Sequence, residues 1–329
     1  MNLNKVFIWG HELHNHTHSY IHNAFYRTFK HLGYNVYWFN EDGINNYPDG
    51  KNVDFNNALY IVHGLESKNL PLNETSFYIG HNIEWSGNQF KIPAKHVLIN
   101  DSIGIPHQNI LSMQVYCIRC INDNLLHYNN NKYNCYSNDH TCIYIPWGTD
   151  LLPHEIDENI KNLELFDVKN ISNFIGMPLE HNVQLKKSLE KYNIDYRNYG
   201  GTFDKNSDRN KSIEENMKLI QESIIAPALQ TQWQKDNCYI PCRIFKNISY
   251  GKMGITNNET VYNLFDKKII YSDSIDDLIK ESLEFNKKED KNKIIKELMI
   301  EVRDNHTYIN RINFILNHIK EFKNINLEK

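Results

Sequence analysis

Residues 223–258 read SIIAPALQTQWQKDNCYIPCRIFKNISYGKMGITNN and contain the pattern of one complete βαβ unit. Residues 224–229 are apolar, branched and followed by polar residues, which predicts a short buried strand. Pro241 predicts the start of a helix, because its missing N–H costs nothing in the first turn. Gly251 predicts the end of that helix through its tolerance of a left-handed conformation. Residues 253–256 then predict a second strand, which completes the unit.

The predicted helix begins with basic residues. Arg243, Lys246 and Asn247 fall within about one turn of each other, near the positive end of the helix dipole. The N-terminus of a helix already favours anions, and two cations beside it suit a diphosphate. A phosphorylated ligand is therefore expected at the carboxyl edge of this βαβ unit.

The segment PCRIFKNISYGKMGITN, residues 241–257, resembles the donor-sugar motif of GT-B glycosyltransferases. Its RIFKN portion is also similar to the nucleotide-binding helix of the α1,3-fucosyltransferases, in which basic residues take the phosphates of a GDP-sugar. Many relatives carry a glutamate five residues before the glycine to hold the donor ribose, and this chain has Lys246 at that position. The resemblance implies a donor site built from Arg243, Lys246, Asn247 and Gly251.

Two other segments carry the same resemblance. Residues 143–153, IYIPWGTDLLP, resemble the IPNGVD segment that ends the first domain of many GT-B enzymes. Residues 306–311, HTYINR, resemble the HTYxxR signature of CgeB-like spore-protein glycosyltransferases, although Arg311 can equally form a structural ion pair. The implied architecture is α/β, with two Rossmann-like domains facing a cleft and helices at the C-terminus. Residues 1–150 would form the acceptor-side domain and residues 151–329 the donor domain.

Hydrophobic periodicity independently predicts an α/β chain. Residues 5–9, 20–32 and 35–39 read as strand, helix and strand, which is a Rossmann-like half. Further strands are predicted at residues 59–62, 77–79, 97–99, 171–175, 194–196 and 268–271. Gly176 follows one of them and either turns the chain or allows a ligand to approach the backbone. Gln232, in the polar 230–236 loop, and Gly176 are the predicted contacts to the base and ribose.

The loop after the first strand reads HELHNHTHSY, residues 11–20, and is rich in histidine. It is open to three interpretations, namely a metal site, a polar loop facing the substrate, or a solvated loop. Histidines on one loop are weaker evidence than ligands held by two elements, so no metal is assigned. Glu12 and His16 are the candidate bases for an acceptor hydroxyl. His81, at the end of a predicted parallel strand, is a third catalytic candidate, or a histidine satisfied by backbone.

Composition restricts the classes of protein and partner. The chain has 329 residues, 40% of them hydrophobic and 23% charged, and a formal net charge of −4. This balance is typical of a globular protein and argues against broad attraction to nucleic acid. No segment has the ~20 apolar residues of a membrane span and no signal peptide is evident, which predicts a cytoplasmic protein. Its six cysteines are then reduced thiols, with a zinc site around Cys117 and Cys120 as the alternative.

The resemblance to GT-B glycosyltransferases implies a metal-independent hexosyl- or fucosyltransferase-like enzyme without a cofactor. It would move a sugar from a nucleoside diphosphate, GDP or UDP, to a glycan or small hydroxyl acceptor, without a nucleic-acid partner. The alternative is a non-catalytic nucleotide- or glycan-binding protein of the same fold, favoured by Lys246 in place of the ribose glutamate. A dehydrogenase is disfavoured because no GxGxxG follows the first strand. Stereochemistry and oligomeric state stay open.

Overall fold

The computed structural model describes residues 1–40, 53–63, 69–81, 83–85, 97–99, 106–114, 125–128, 131–201 and 208–329. Within it the chain forms two compact units, Met1–Pro146 with Tyr308–Lys329, and Trp147–Thr307. The first boundary lies four residues before the predicted one at residue 150. The prediction had also placed residues 308–329 in the second domain, whereas they belong to the first unit. Cys117 and Cys120, around which the alternative zinc site would form, lie outside the described residues.

The last helix returns to the first unit because its apolar side packs on the first helix of the chain. The rings of Phe25 and Tyr308 meet edge to face with centroids 4.9 Å apart. Residues Asn2–Leu3 and Asn326–Leu327 pair as a short parallel ladder. Contacts so far apart in sequence cannot be read from local periodicity, which explains why the prediction missed this return.

The first unit is built on a predominantly parallel sheet. Its elements are β1 (Asn2–Leu3), β2 (Lys5–Trp9), α1 (Thr17–His31), β3 (Val36–Phe39), β4 (Ala58–His63), β5 (Phe77–His81), β6 (Ile83–Trp85), β7 (Val97–Ile99), β8 (Ile110–Gln114), β9 (Leu125–Tyr128), β10 (Asn131–Ser137), β11 (Cys142–Tyr144), α10 (Tyr308–Lys323) and β16 (Asn326–Leu327). The main sheet has the order β3-β2-β4-β5-β8-β11-β10-β9. The first six strands of this spatial order, from β3 across to β11, pair in parallel. Strands β10 and β9 then add an antiparallel edge.

The order of these strands reverses between β2 and β4. From β2 the chain crosses through α1 to β3 on one side, and it then enters β4 on the other side. In open α/β sheets, ligands bind outside the carboxyl ends of the strands at such a point. The residues that follow β2, together with His63 at the end of β4, therefore mark the first unit's potential ligand crevice.

The second unit is a smaller α/β layer. Its elements are α2 (Pro153–Asn162), β12 (Ile171–Ile175), α3 (Glu180–Glu190), β13 (Asp195–Tyr199), α4 (Ile213–Glu222), α5 (Gln232–Asp236), α6 (Cys242–Ser249), β14 (Ile255–Thr256), α7 (Glu259–Leu264), β15 (Ile270–Tyr271), α8 (Ile275–Asn286) and α9 (Lys291–Asn305). Strands β12 and β13 are parallel neighbours, as are β14 and β15.

Residues 224–229 join these two strand pairs, although they do not form the regular strand that was predicted. Single parallel bridges at Ser223 with Lys169 and at Ala228 with Thr256 flank an otherwise irregular, largely buried segment. Pro227 lies within it and has no N–H to donate to a ladder, which is a physical reason for the irregularity. The resulting order is β13, β12, segment 224–229, β14, β15, so the reversal lies between β12 and the segment.

Several helix boundaries follow the predicted signals. Ser212 caps α4, where its hydroxyl accepts from the N–H of Glu215 while the glutamate side chain accepts from the N–H of Ser212. Helix α6 begins after Pro241 and ends before Gly251, which has φ +93°. The predicted 230–236 loop instead contains α5, because Thr231 caps a short helical turn.

Candidate functional site

Two glycines with positive φ mark the carboxyl ends of β12 and β13. Ile175 and Tyr199 are partners in the ladder, so the two strands end side by side. Gly176 has φ +143° and donates its N–H to the carbonyl of Tyr199 at 2.8 Å, and Gly200 has φ +106°. Residues with a side chain rarely adopt these angles, so the backbone at this edge requires glycine.

Arg243, in the first turn of α6, extends its side chain to this edge. Its guanidinium lies over the ring of Phe174, with Cζ 4.1 Å from the ring centroid. Its Nη2 donates to the carbonyl of Ile175 at 3.2 Å. A Cβ at Gly176 would lie 2.6 Å from Nη2 of Arg243, so only glycine leaves room for this arrangement. The sequence-predicted residues Gly176 and Arg243 thus lie together.

A second guanidinium occupies the neighbouring strand end. Arg209 is buried, and its Nε and Nη2 donate to the carbonyl of Gly200 at 3.1 and 2.7 Å. A Cβ at Gly200 would lie 2.8 Å from this Nε. Each of the two strands therefore ends in a glycine over which an arginine lies, an arrangement that concentrates positive charge at the edge of the sheet.

The electrostatics of this edge favour an anion. Burial lowers the pKa of Arg243, and the positive charge of Arg209 lowers it further, whereas Cys242, Tyr239 and Tyr196 act in the opposite direction. Burial and then the charge of Arg243 lower the pKa of His181 to about 4. In the part of the chain that the structure describes, no carboxylate lies within ion-pair distance of Arg243. A phosphate would supply the missing negative charge at the start of α6.

Lys246, predicted to bind the diphosphate with Arg243, forms an ion pair with a carboxylate of its own unit. Its Nζ lies 2.7 Å from Oδ2 of Asp150, whose side chain is 9% exposed. The hydroxyl of Tyr250 donates to the other oxygen of Asp150 at 2.7 Å. Asp150 therefore ties two residues of the α6 region to the segment that opens the second unit.

The other predicted donor residues have structural contacts. Asn247 is buried and donates its amide to the carbonyl of Ala226 at 2.7 Å. Gln232 donates to Oδ1 of Asp236 at 2.7 Å within α5. A Cβ at Gly251 would lie 2.6 Å from the ring of Phe166, so this glycine ends α6 against a packed side chain. None of these three contacts brings its residue to the pair formed by Arg243 and Gly176.

Two of the three catalytic candidates, His16 and His81, belong to a cluster of six histidine rings in the first unit. We call His11, His16, His18, His22, His63 and His81 the histidine cluster. Ring centroids are 4.0 Å apart for His11 and His16, 4.2 Å for His18 and His63, and 4.8 Å for both His18 and His63 against His81. The sequence indicated the loop histidines, but it did not show that strands β4 and β5 bring two more to them.

Burial controls the protonation of this cluster. Burial is the largest of the causes that lower the pKa of His18, His22 and His81 well below the ordinary value. Charge on neighbouring histidines lowers the pKa of these three rings further. Burial also lowers the pKa of His11. These imidazoles are therefore neutral at pH 7, and a low pKa makes them weak general bases.

Glu12, the third catalytic candidate, differs from the histidines in its environment. It is exposed to solvent, and its Oε2 accepts from Nδ2 of Asn15 at 3.3 Å. His16 instead caps α1, where its Nδ1 accepts from the N–H of His18 at 3.2 Å. Glu12 thus stays accessible to an acceptor molecule, while His16 has a structural role at the start of the helix.

Sequence reasoning missed four residues of these two sites. They are Phe174, His181, Arg209 and His22. Phe174 and His181 flank the glycine after β12, so a search around predicted strand ends could have found them. His22 is four residues after His18, the spacing of one helix face. Arg209 follows undescribed residues and carried no local signal.

No family model matches the chain, and no curated protein matches it in sequence. Solved structures do match its fold. An "alpha-glucosyltransferase (AGT) in complex with UDP" aligns with a TM-score of 0.55 at 8% identity, over 94% of this chain and 99% of that one. An "alpha-glucosyltransferase in complex with UDP and a 13-mer DNA containing a HMU base" aligns with a TM-score of 0.56 at 8% identity over the same shares.

The comparison agrees with the fold that the sequence motifs predicted, and it does not extend to the CgeB-like or α1,3-fucosyltransferase subgroups. In the described ranges no helix is long and apolar enough to span a membrane. Both units of this chain contain parallel α/β layers. The chain therefore has the fold of GT-B glycosyltransferases.

Proposed function

We propose that this protein is a glycosyltransferase that moves a sugar from a nucleoside diphosphate to a hydroxyl acceptor. The observation that carries the proposal is the guanidinium of Arg243 beside Gly176, at the strand-order reversal of the second unit. UDP in both structural neighbours makes a UDP-sugar the first donor to test. The proposed donor site lies wholly within the second unit.

The chemistry of the leaving group explains the proposed role of Arg243. As the glycosidic bond to phosphate breaks, negative charge grows on the departing diphosphate. Arg243 and the unpaired N–H groups at the start of α6 would stabilise that charge, and both are already held in place before the reaction. Arg209, at the next strand end, would add to the positive potential without needing direct contact.

The remaining predicted residues take supporting or catalytic roles in this proposal. Lys246, Asn247 and Gly251 hold α6 in position through the contacts described above, and Gln232 stabilises α5. Glu12 is the proposed general base for the acceptor hydroxyl, because it is an exposed carboxylate beside the strand-order reversal of the first unit. His16 and His81 are not assigned this role.

The structural neighbours suggest a second candidate for the acceptor. One neighbour contains DNA with an HMU base, and its likeness covers 94% of this chain. A hydroxyl-bearing base in DNA is therefore a candidate beside the glycan or small hydroxyl that the sequence motifs imply. The net charge of −4 argues against broad attraction to nucleic acid, but a local positive patch can still contact a phosphate backbone.

The first experiment measures donor binding and turnover in the same preparation. Thermal shifts with UDP-, GDP-, ADP- and dTDP-sugars, and with NADH, rank the ligand classes. Release of free nucleoside diphosphate, with and without oligonucleotides that carry a hydroxymethylated base, measures transfer. We expect one nucleotide-sugar to stabilise the protein and to be consumed. Stabilisation without turnover would favour the non-catalytic alternative, and stabilisation by NADH alone would contradict the proposal.

The matched variants are Arg243→Ala and Arg197→Ala. Arg197 lies on β13 and is about half exposed, paired with Asp195 at 2.8 Å, so its removal controls for loss of a cation in the same sheet. Arg243→Ala should weaken donor binding by roughly 1.5–3 kcal/mol, the range for a hydrogen bond to a charged group. Arg197→Ala should bind the donor like wild type. Equal affinity in Arg243→Ala and wild type would remove Arg243 from the site.

A further inference from the structure

We propose that the histidine cluster of the first unit is a binding site for a transition-metal ion, with Zn²⁺ as the best-suited species. His18, His63 and His81 are the proposed ligands. This inference stands apart from the proposed glycosyltransferase activity, because it rests only on the arrangement of imidazoles around the strand-order reversal in the first unit. It also revises the expectation, drawn from the loop sequence, that no metal is bound.

The spacing of the ring nitrogens fits a metal. One ligand nitrogen from each of His18, His63 and His81 lies within 4.8 Å of the others, and the same holds for His11, His16 and His18. Two nitrogens that bind one Zn²⁺ tetrahedrally at 2.0–2.1 Å are about 3.3 Å apart. The ligand nitrogens of the assigned triad are within 4.8 Å of one another, so side-chain rotations that shorten these distances would bring all three to bonding distance. Nε2 of His11, from the other triad, and Nδ1 of His63 lie 3.3 Å apart, which shows how closely rings pack in this cluster.

The proposed ligands come from three separate elements. His18 lies in the first turn of α1, His63 ends β4 and His81 ends β5. His63 and His81 are register partners in the parallel ladder, which fixes their separation through backbone hydrogen bonds. Because His18 belongs to both possible triads, one ion at a time is expected. The triad that spans two strands and a helix is the more rigid and is the one we assign.

The protonation state of the rings also suits a metal. A metal binds the neutral form of imidazole, which is the form that burial favours. Imidazole ligands favour Zn²⁺, Cu²⁺, Ni²⁺ and Fe²⁺ over Mg²⁺ and Ca²⁺, which prefer oxygen. Three histidines would leave a coordination position open for water or another ligand.

His22 supplies the partner expected behind a metal ligand. It is fully buried, and its Nε2 lies 3.0 Å from Nε2 of His81. Metal-bound histidines usually donate their other ring N–H to a nearby acceptor, which fixes the orientation of the ring. Gly10 makes room for His22, since a Cβ there would overlap the ring carbon Cε1. The backbone is thus adapted to keep this second imidazole behind His81.

Burying His22 behind the proposed ligands carries a cost. Its Nδ1 has no hydrogen-bond partner within the described residues. An unsatisfied buried polar atom costs about 1–3 kcal/mol. Metal binding by His18, His63 and His81 would add stabilising bonds beside this buried ring.

The test measures metal content and affinity on the full-length chain after removal of any polyhistidine tag. The protein is dialysed against a chelator and then titrated with Zn²⁺, with Co²⁺ as the spectroscopic probe and Mg²⁺ as the comparison ion. We expect one Zn²⁺ per chain by elemental analysis, the visible absorption of tetrahedral Co²⁺, and a thermal shift with Zn²⁺ that Mg²⁺ does not produce. No activity measurement is needed.

Three variants make the result specific. His63→Ala removes a partly exposed ligand of the assigned triad, His11→Ala removes a ligand of the other triad only, and His154→Ala removes an exposed histidine of the second unit. We expect Zn²⁺ affinity to fall at least tenfold in His63→Ala, with His154→Ala unchanged. A loss of Zn²⁺ affinity in His11→Ala but not in His63→Ala would overturn the assigned triad. Equal Zn²⁺ binding in all three variants, or none in wild type, would overturn the site.

Discussion

Lys246 and Asp150 form an ion pair with Nζ and Oδ2 2.7 Å apart, where the carboxylate side chain is only 9% exposed. A cation that the sequence motif suggested for a diphosphate thus holds α6 to the segment that begins the second unit. Arg243, one turn earlier, extends instead to the edge of the sheet at Gly176. The two basic residues of the motif therefore perform different tasks.

Lys246→Met should destabilise the protein without abolishing the diphosphate site. The substitution removes the lysine contact of a carboxylate that is 9% exposed and leaves it the neutral donor Tyr250 in place of a cation, so we expect a loss of about 1–3 kcal/mol in the free energy of unfolding, below the value for a fully buried pair. Denaturant unfolding measures this. Lys191→Met is the control, because its pair with Asp276 is exposed on both sides and should matter by less than about 0.5 kcal/mol. Unchanged stability in Lys246→Met, combined with a donor affinity as low as that of Arg243→Ala, would instead place Lys246 on the phosphates.

Gly176→Ala tests the approach of Arg243 to the backbone. The substitution places a Cβ 2.6 Å from Nη2 of Arg243 and forces alanine to φ +143°. We expect a cost of about 1–3 kcal/mol in stability and a weaker nucleotide-sugar affinity, because the guanidinium must move. Gly201→Ala is the matched control, since a Cβ at Gly201 meets no heavy atom of the described residues within 4 Å. Calorimetric titration with the donor would contradict this prediction if both variants bound equally well.

Glu12→Gln tests the proposed catalytic base. The amide keeps the size of the side chain but cannot take a proton, so kcat should fall by about two orders of magnitude or more. Donor affinity should stay unchanged, because Glu12 lies in the first unit and the proposed donor site lies in the second. Asn15→Ala, which removes the amide that donates to Glu12, is the control for the loop itself. Normal turnover in Glu12→Gln would exclude Glu12 as the base.

His318→Leu tests a pH dependence of stability outside both sites. Burial is the main cause that lowers the pKa of His318 to about 4, with further lowering by His140 and Lys323. The rings of Tyr136, His140 and Phe322 pack around it. The His318 ring binds a proton near pH 6.5 in the unfolded chain but only near pH 4 in the folded chain. The stability that depends on a neutral His318 is therefore complete above pH 6.5 and is lost as the pH falls towards 4.

The loss attributable to His318 amounts to at most about 3 kcal/mol. Unfolding free energies measured from pH 7 to pH 4 should therefore fall less steeply in His318→Leu than in wild type. His154→Leu is the matched control for the histidine-to-leucine change itself, because His154 is exposed. Parallel profiles for His318→Leu and wild type would show that His318 titrates in the folded protein as it does in the unfolded chain.

Local sequence predicted the second unit well where each element carried its own signals. Pro241 and Gly251 bounded α6, and the apolar residues of β12 matched its observed limits, because capping and burial act over a few residues. Residues 224–229 were harder, since an apolar run indicates burial but not whether neighbouring backbone will pair with it. Only the single bridges beside β12 and β14 form there.

The amino-acid sequence was sufficient to predict the α/β class, the order of most elements and the arginine at the start of α6. These features depend on periodicity and on residues close together in the chain. Three features depended on the tertiary structure. These are the return of Tyr308–Lys329 to the first unit, the pairing of Lys246 with Asp150, and the meeting of His18, His63 and His81. Each joins residues dozens to hundreds of positions apart, and such contacts follow from how strands and helices pack together rather than from any local pattern.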